Sequence, residues 1–141
     1  MAISFFSEGT KFRYQNRNQT KNWLRALAIA SGHKIKDLNY IFCSDEYLLQ
    51  INQEYLDHDT LTDIITFDFS EEANEISGDI FISIDRVEEN SKELGTLPNE
   101  ELLRVISHGL LHLIGFNDKS EKEKEIMRKK ESEAINLFTT F

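Results

Sequence analysis

The stretch from Asn99 to Gly115 constrains this chain more than any other. Leu102, Leu103, Val105, Ile106, Leu110, Leu111 and Leu113 make it apolar nearly all round at helical spacing. A helix of that kind has to be buried, so other elements must cover it on several sides. Asn99 stands where a cap is needed, Glu100 and Glu101 suit the positive end, and Gly115 offers a stop. Two polar rings, His108 and His112, interrupt the apolar surface.

The covering elements are legible along the chain. Trp23, Leu24, Leu27, Ala28 and Ala30 recur at helical spacing between Asn18 and Ser31, and Gly32 ends that helix. Leu38 to Cys43 reads as a strand, after which Ser44-Asp45 caps a helix marked by Tyr47, Leu48, Ile51 and Tyr55. Asp63 to Phe69 and Ile76 to Ile84 alternate β-branched or aromatic residues with polar ones, and should pair through Ser70–Glu75. Asp85 to Leu94 predicts a short helix ended by Gly95 and followed by a loop with Pro98. Ser120-Glu121-Lys122-Glu123 is a capping box opening a last helix to about Leu137. Ile3–Phe6 and Phe12–Tyr14 read as short strands or extended arms. The expectation is one α+β domain over 1–141: a mixed four-stranded sheet packed with about five helices, with the histidines on a buried C-terminal helix.

With 40% apolar residues and a single proline, the chain is a folded globular protein. Its one cysteine, Cys43, lies in an apolar run, which excludes an internal disulfide and suits core packing in a reducing compartment. No run of 18 apolar residues occurs, and no basic segment followed by a long apolar stretch opens the chain; the expected location is the cytoplasm, with no membrane partner. The net charge of −9 argues against a polyanionic partner, but its distribution is uneven. Residues 1–36 hold seven Lys/Arg against Glu8 alone, whereas 37–100 hold seventeen acids against Arg86 and Lys92. The expected phosphate-binding surface therefore lies in the N-terminal third, if that charge run is more than a solvated face.

The histidines carry the chemistry. Four residues advance a helix by about 400°, so His108 and His112 share a face with Cβ atoms roughly 6 Å apart, close enough for two imidazoles on one cation. Gly115 lets the chain reverse, and Asp118 arrives three residues later to complete a set of three. Two histidines and one carboxylate leave a position open for water, as catalytic zinc sites do, and such a water is a nucleophile at neutral pH. Satisfied core histidines are the alternative reading, although two rings on one apolar helix must be satisfied together. Zinc peptidases of the H-E-x-x-H type need Glu after the first histidine; Gly109 here disfavours that chemistry.

The string His108-Gly109-Leu110-Leu111-His112-Leu113-Ile114-Gly115-Phe116-Asn117-Asp118 resembles the H-G-x-L-H-L-x-G-Y-D-H motif of the YbeY family of bacterial rRNA maturation factors. Asn52 to Phe69 is similar to the family's N-x-x-Y-R…T-D/N-V-L-S-F segment, and Gly78-Asp79-Ile80 to its G-D-I element, so the resemblance spans most of residues 45–137. It implies a compact α+β fold and one catalytic divalent metal, most simply Zn²⁺, on His108, His112 and Asp118. It also implies single-strand-specific endoribonuclease activity in rRNA maturation, notably at the 3′ end of small-subunit rRNA. RNA, the small ribosomal subunit and assembly factors are the partners implied.

Two departures stand out. The family's third histidine falls on Asp118, a competent ligand whose negative charge weakens the metal as a Lewis acid. The family's arginine falls on Leu56, which cannot bind phosphate. Arg13, Arg17 and Lys34 are the basic residues available to replace it, and His58 is an alternative polar group or an exposed loop histidine. Thr62 and Asp63 match the family's T-D/N positions and either orient substrate or only fix the loop entering the strand. Asp79 reads as structural. A metal-dependent hydrolase of another substrate and a non-catalytic ribosome-assembly factor are the competing functions.

Overall fold

Period-two burial and helical apolar stripes sort the chain into the two layers that these patterns require. A computed structural model describes residues 2–56 and 62–141, the side chain of Leu56 excepted. In chain order the elements are β1 (Ala2–Glu8), α1 (Arg17–Ala30), β2 (Lys34–Cys43), α2 (Asp45–Leu56), β3 (Ile64–Asp68), β4 (Glu75–Ser83), α3 (Ile84–Leu94), α4 (Pro98–Ile114) and α5 (Glu121–Phe138). The sheet runs β1-β2-β4-β3, with β1 and β4 parallel to β2 and β3 antiparallel to β4. The expected mixed four-stranded sheet with five helices is thus what the described residues form, and the strands read from Asp63–Phe69 and Ile76–Ile84 are neighbours.

Alternation on β4 sends Ile76, Ile80 and Ile82 into the main core, where they meet Trp23 and Leu24 of α1, Val105, Ile106 and Leu110 of α4, and Ala134 and Phe138 of α5. The opposite face carries a smaller core of Cys43, Leu48, Ile51 and Ile65 beside α2. Cys43 is buried there, as its apolar run implied. Buried polar tips are satisfied across elements: the Tyr40 hydroxyl donates to the Ile106 carbonyl at 2.8 Å and the Trp23 indole to the Ala134 carbonyl at 2.8 Å. These bonds fix α4 and α5 relative to the sheet and α1, because leaving either group unpaired would cost about 1–3 kcal/mol.

Helix ends follow the sequence in most places. Ser120 and Glu123 form the reciprocal capping box, Ser44 Oγ accepts from the Tyr47 amide, and Gly95 and Gly115 end their helices at positive φ. The start of α4 differs from expectation. Leu97 is the cap residue and Pro98 opens the helix, so Asn99 already lies inside it. Proline's fixed φ and missing N–H suit the first helical position, and that preference outweighs asparagine's side-chain cap. Phe12–Tyr14 forms no strand; Tyr14 is instead buried with its hydroxyl 2.6 Å from Thr20 Oγ1.

Gly109 shows how α4 reaches the sheet. A Cβ there would lie 2.9 Å from Ile80 Cδ1 and 3.1 Å from Ile64 Cδ1. The glycine lets the helix backbone approach β3 and β4 closely. That approach sets the height of the next face of α4, which carries the histidines.

Candidate metal centre

One face of α4 turns away from the sheet toward a cavity of about 940 Å³. Glu101, Arg104, His108 and His112 recur on it at spacings of three, four and seven residues and all line the cavity. The edge of β3, the end of α3 and the start and middle of α5 supply the other walls, bringing in Asp63, Asn90, Lys124, Arg128 and Glu131. The turn after Gly115 returns Asp118 to the same space.

His108 is held at both ring nitrogens. Its Nδ1 lies 2.6 Å from Glu131 Oε2, and its Nε2 lies 3.3 Å from Asp118 Oδ2. Glu131 is itself fixed by Arg104, whose Nη1 donates to Oε1 at 3.0 Å while Nη2 donates to Ser132 Oγ at 3.3 Å. A carboxylate accepts only, so Nδ1 carries a proton toward Glu131, and in the neutral imidazole Nε2 then presents its lone pair to Asp118. Two electron-pair donors facing each other repel unless a proton or a cation lies between them. Burial would push the His108 imidazole down, but the Glu131 hydrogen bond and charge, with Asp118 and Asp63, outweigh it and hold its pKa above the ordinary value.

The same arrangement fits a divalent ion. In a tetrahedral zinc site with bonds near 2.1 Å, neighbouring ligand atoms stand roughly 3.4 Å apart, close to the spacing of His108 Nε2 and Asp118 Oδ2. A carboxylate on the far nitrogen of the ligating imidazole is the usual means of fixing its tautomer, and Glu131 stands in that position. His112 is less converged. Its ring stacks parallel to that of His108 with centroids 6.4 Å apart, and the residue is exposed. Among the described residues, no three His, Cys, Asp or Glu side chains are gathered tightly enough to form a ready cluster. The structure therefore joins His108 and Asp118 and leaves His112 one turn away on the same cavity wall.

The remaining sequence candidates separate clearly. Thr62 and Asp63 both line the cavity. The Thr62 hydroxyl donates to the Ile64 carbonyl at 3.4 Å, and the Asp63 carbonyl accepts from the Ser83 amide at 2.9 Å, so both residues shape the entry to β3. The Asp63 carboxyl, however, points chemistry at the site: Asn90 Nδ2 is 3.5 Å away, and burial, partly offset by His108, raises its pKa. His58 lies outside the described residues, as does the side chain of Leu56. Asp79 accepts from Asn39 Nδ2 at 3.0 Å across β2 and β4 and does not line this cavity, in keeping with a structural role. None of Arg13, Arg17, Lys34 or the other basic residues of the N-terminal third lines it either. The phosphate surface expected there is not part of this cavity. The cavity's cations are Arg104, Lys124 and Arg128, gathered by the packing of α4 on α5 and not by a run in the sequence.

Glu131 and Glu101 were not anticipated. Glu131 had a signal: Met127, Glu131, Ala134 and Phe138 form the buried stripe of α5, and a carboxylate in such a stripe needs a partner. Glu101 had none, because an acid in the first turn of a helix is ordinarily explained by the macrodipole.

The fold and cavity define a mixed α+β protein that sets imidazole and carboxylate donors beside guanidinium and ammonium groups, a combination that can serve hydrolysis of a phosphate ester. Residues 3–139 match the family described as Endoribonuclease YbeY. The chain is 53% identical over 135 residues to the Endoribonuclease YbeY of Cytophaga hutchinsonii, covering 96% of this chain and 94% of that protein. It is 50% identical over 133 residues to that of Flavobacterium johnsoniae, covering 94% and 95% respectively. A Thermotoga maritima protein solved in solution shares the fold, with a TM-score of 0.71 and 28% identity over 97% of this chain and 89% of that one. The chain belongs to the YbeY endoribonuclease family. No helix among the described residues is long and apolar enough to cross a membrane.

Proposed function

We propose that this endoribonuclease works through one divalent metal, Zn²⁺ by its donor set, held by His108, His112 and Asp118, and that it cuts single-stranded RNA. Its place is the cytoplasm, in rRNA maturation and notably at the 3′ end of small-subunit rRNA, with the small subunit and its assembly factors as partners. The observation that supports the metal most directly is the facing of His108 Nε2 and Asp118 Oδ2 at 3.3 Å while Glu131 holds Nδ1 at 2.6 Å. When bound, the ion supplies Lewis acidity toward a phosphoryl oxygen and a nucleophile active near neutral pH.

The chain's own residues do the rest. Arg104, Lys124 and Arg128 line the cavity and offset the charge of an RNA phosphate, the part that Leu56 cannot play. Arg104 is tied to Glu131, so its guanidinium is presented in a fixed orientation beside His108. Asp63 keeps its proton to higher pH than an ordinary aspartate, which suits proton exchange with a substrate oxygen; Thr62 stands beside it to orient substrate. Such an arrangement needs no residue with a side chain at 109, where Gly109 packs against β3 and β4.

Elemental analysis coupled to cleavage of a labelled single-stranded RNA tests this reading. Wild-type protein is expected to carry close to one equivalent of metal and to lose cleavage on chelation, and His112→Ala to lose both. Metal retained at full occupancy in His112→Ala would sink the proposed site.

A further inference from the structure

Two buried side-chain polar atoms lack a hydrogen-bond partner among the described residues, Thr96 Oγ1 and Glu101 Oε1, and both residues line the cavity that holds His108. Glu101 is only 5% exposed. A buried, unsatisfied carboxylate oxygen is costly, and each such atom calls for a physical reason. Arg104 and Arg128 are near enough to favour its ionised form, but neither hydrogen-bonds Oε1, and the positive end of α4 already has Glu100.

We propose that Thr96 and Glu101, with Asp63 beside them, form a recess that receives the hydrogen-bonding edge of one nucleobase of the RNA, guanine best. The inference rests on the endoribonuclease reading of the same cavity. Glu101 stands seven residues before His108, almost the same direction from the helix axis and about 10 Å along it. A phosphate at the histidine end therefore leaves its own nucleotide room to reach the glutamate end. Ile64 and Val105 line the same cavity, so apolar surface for the faces of a flat ring is available beside the polar atoms that would meet its edge.

The donors and acceptors select the base. A carboxylate accepts two hydrogen bonds side by side, and a threonine hydroxyl donates one. Guanine offers a ring N–H and an exocyclic amino group next to a carbonyl oxygen, which matches that set. Uracil offers one N–H between two carbonyl oxygens, and a carboxylate repels the second of them. Single-stranded RNA is read on these edges because its bases are unpaired. Burial raises the pKa of both Asp63 and Glu101; for Glu101 it outweighs the opposing charge of Arg104, and Asp63 adds to it, so a donor edge from a ligand meets a carboxylate short of hydrogen bonds.

The test combines cleavage with binding. Single-stranded RNAs carrying one guanine, inosine or uracil at a fixed position are cut by wild type, Glu101→Gln and Thr96→Val, while calorimetry measures GMP and UMP on the same proteins and melting curves verify folding. Wild type is expected to favour guanine over uracil by about tenfold or more, the range for a good paired contact. Inosine, which lacks the amino group, should fall between them. In Glu101→Gln the guanine-to-uracil ratio should drop to near one. Equal cutting beside all bases, or a ratio unchanged in folded Glu101→Gln, overturns the recess. A second equivalent of Mn²⁺ bound by wild type and lost in Glu101→Gln overturns it in favour of a cation. If wild type cuts no RNA, the endoribonuclease reading of the cavity fails by itself. GMP binding over UMP, lost in Glu101→Gln, then still decides for or against the recess.

Discussion

The two faces of α4 are built to opposite rules. Toward the sheet, Ile106 and Leu110 are fully buried and Gly109 brings backbone against Ile80 and Ile64 without room for a methyl group. Toward the cavity, the same helix carries Glu101, Arg104, His108 and His112, including a buried carboxylate oxygen with no hydrogen-bond partner among the described residues and an imidazole nitrogen that faces Asp118. The packed face gains stability from every contact; the cavity face gives some up. What the difference teaches is that the close packing on one side holds the unfavourable groups on the other at fixed positions, which a mobile helix could not do.

Substitutions on each face should break this contrast in different ways. Ile106→Ala, at the centre of the packed face, is expected to destabilise the protein by about 2–5 kcal/mol, read as a lower urea midpoint. Glu131→Gln should weaken metal binding by about 10–100-fold, because it loosens the His108 tautomer while leaving the three proposed ligands in place. Competition with a chelator dye measures that loss, and an unchanged affinity would remove Glu131 from the site. Gly109→Ala forces a Cβ against Ile80 and Ile64, and the overpacking should cost about 1–3 kcal/mol with a fall in metal occupancy as α4 shifts.

The cavity face should respond with the other sign. Glu101→Met removes a desolvated carboxylate and is expected to stabilise the protein by about 1 kcal/mol near pH 7.5. Because the folded pKa of Glu101 is raised, its ionised form is disfavoured in the native state above that pKa, and the penalty disappears below the unfolded carboxylate range. The gain from Met should therefore shrink as denaturation is repeated toward pH 4; a gain that grows in acid contradicts the assignment. The smallest effect concerns the second core. Burial, with Asp45 and Asp85 nearby, pushes the Cys43 thiol up to about 12, so it should resist alkylation near neutral pH in the folded protein and react only on unfolding.

Much of this was legible before any coordinates. The all-round apolar run of α4, the pairing of the two alternating strands, the Ser120 capping box and the glycine stops follow from local chemistry, which a short window of sequence contains in full. That the i, i+4 histidines and Asp118 share one cavity was legible for the same reason, since a helix and one turn connect them. Glu131, Arg104 and Glu101 were not. Helical periodicity says which residues of α5 share a face but not which face of α4 that stripe will meet, and Glu131 reaches His108 across 23 residues only through packing. The cavity's cations show the same limit: the N-terminal third is rich in basic residues, yet the cavity draws its cations from α4 and α5.

The sequence by itself determined most of the elements, many of their ends and three candidate donor residues close together in the chain, because hydrogen bonding and periodicity act over a few residues. Only the tertiary structure decided what those donors face. The depth at which Gly109 seats α4, the carboxylate that fixes His108 and the burial of Glu101 are products of helix against sheet and helix against helix, where burial changes the energy of a charge more than its neighbours in sequence do.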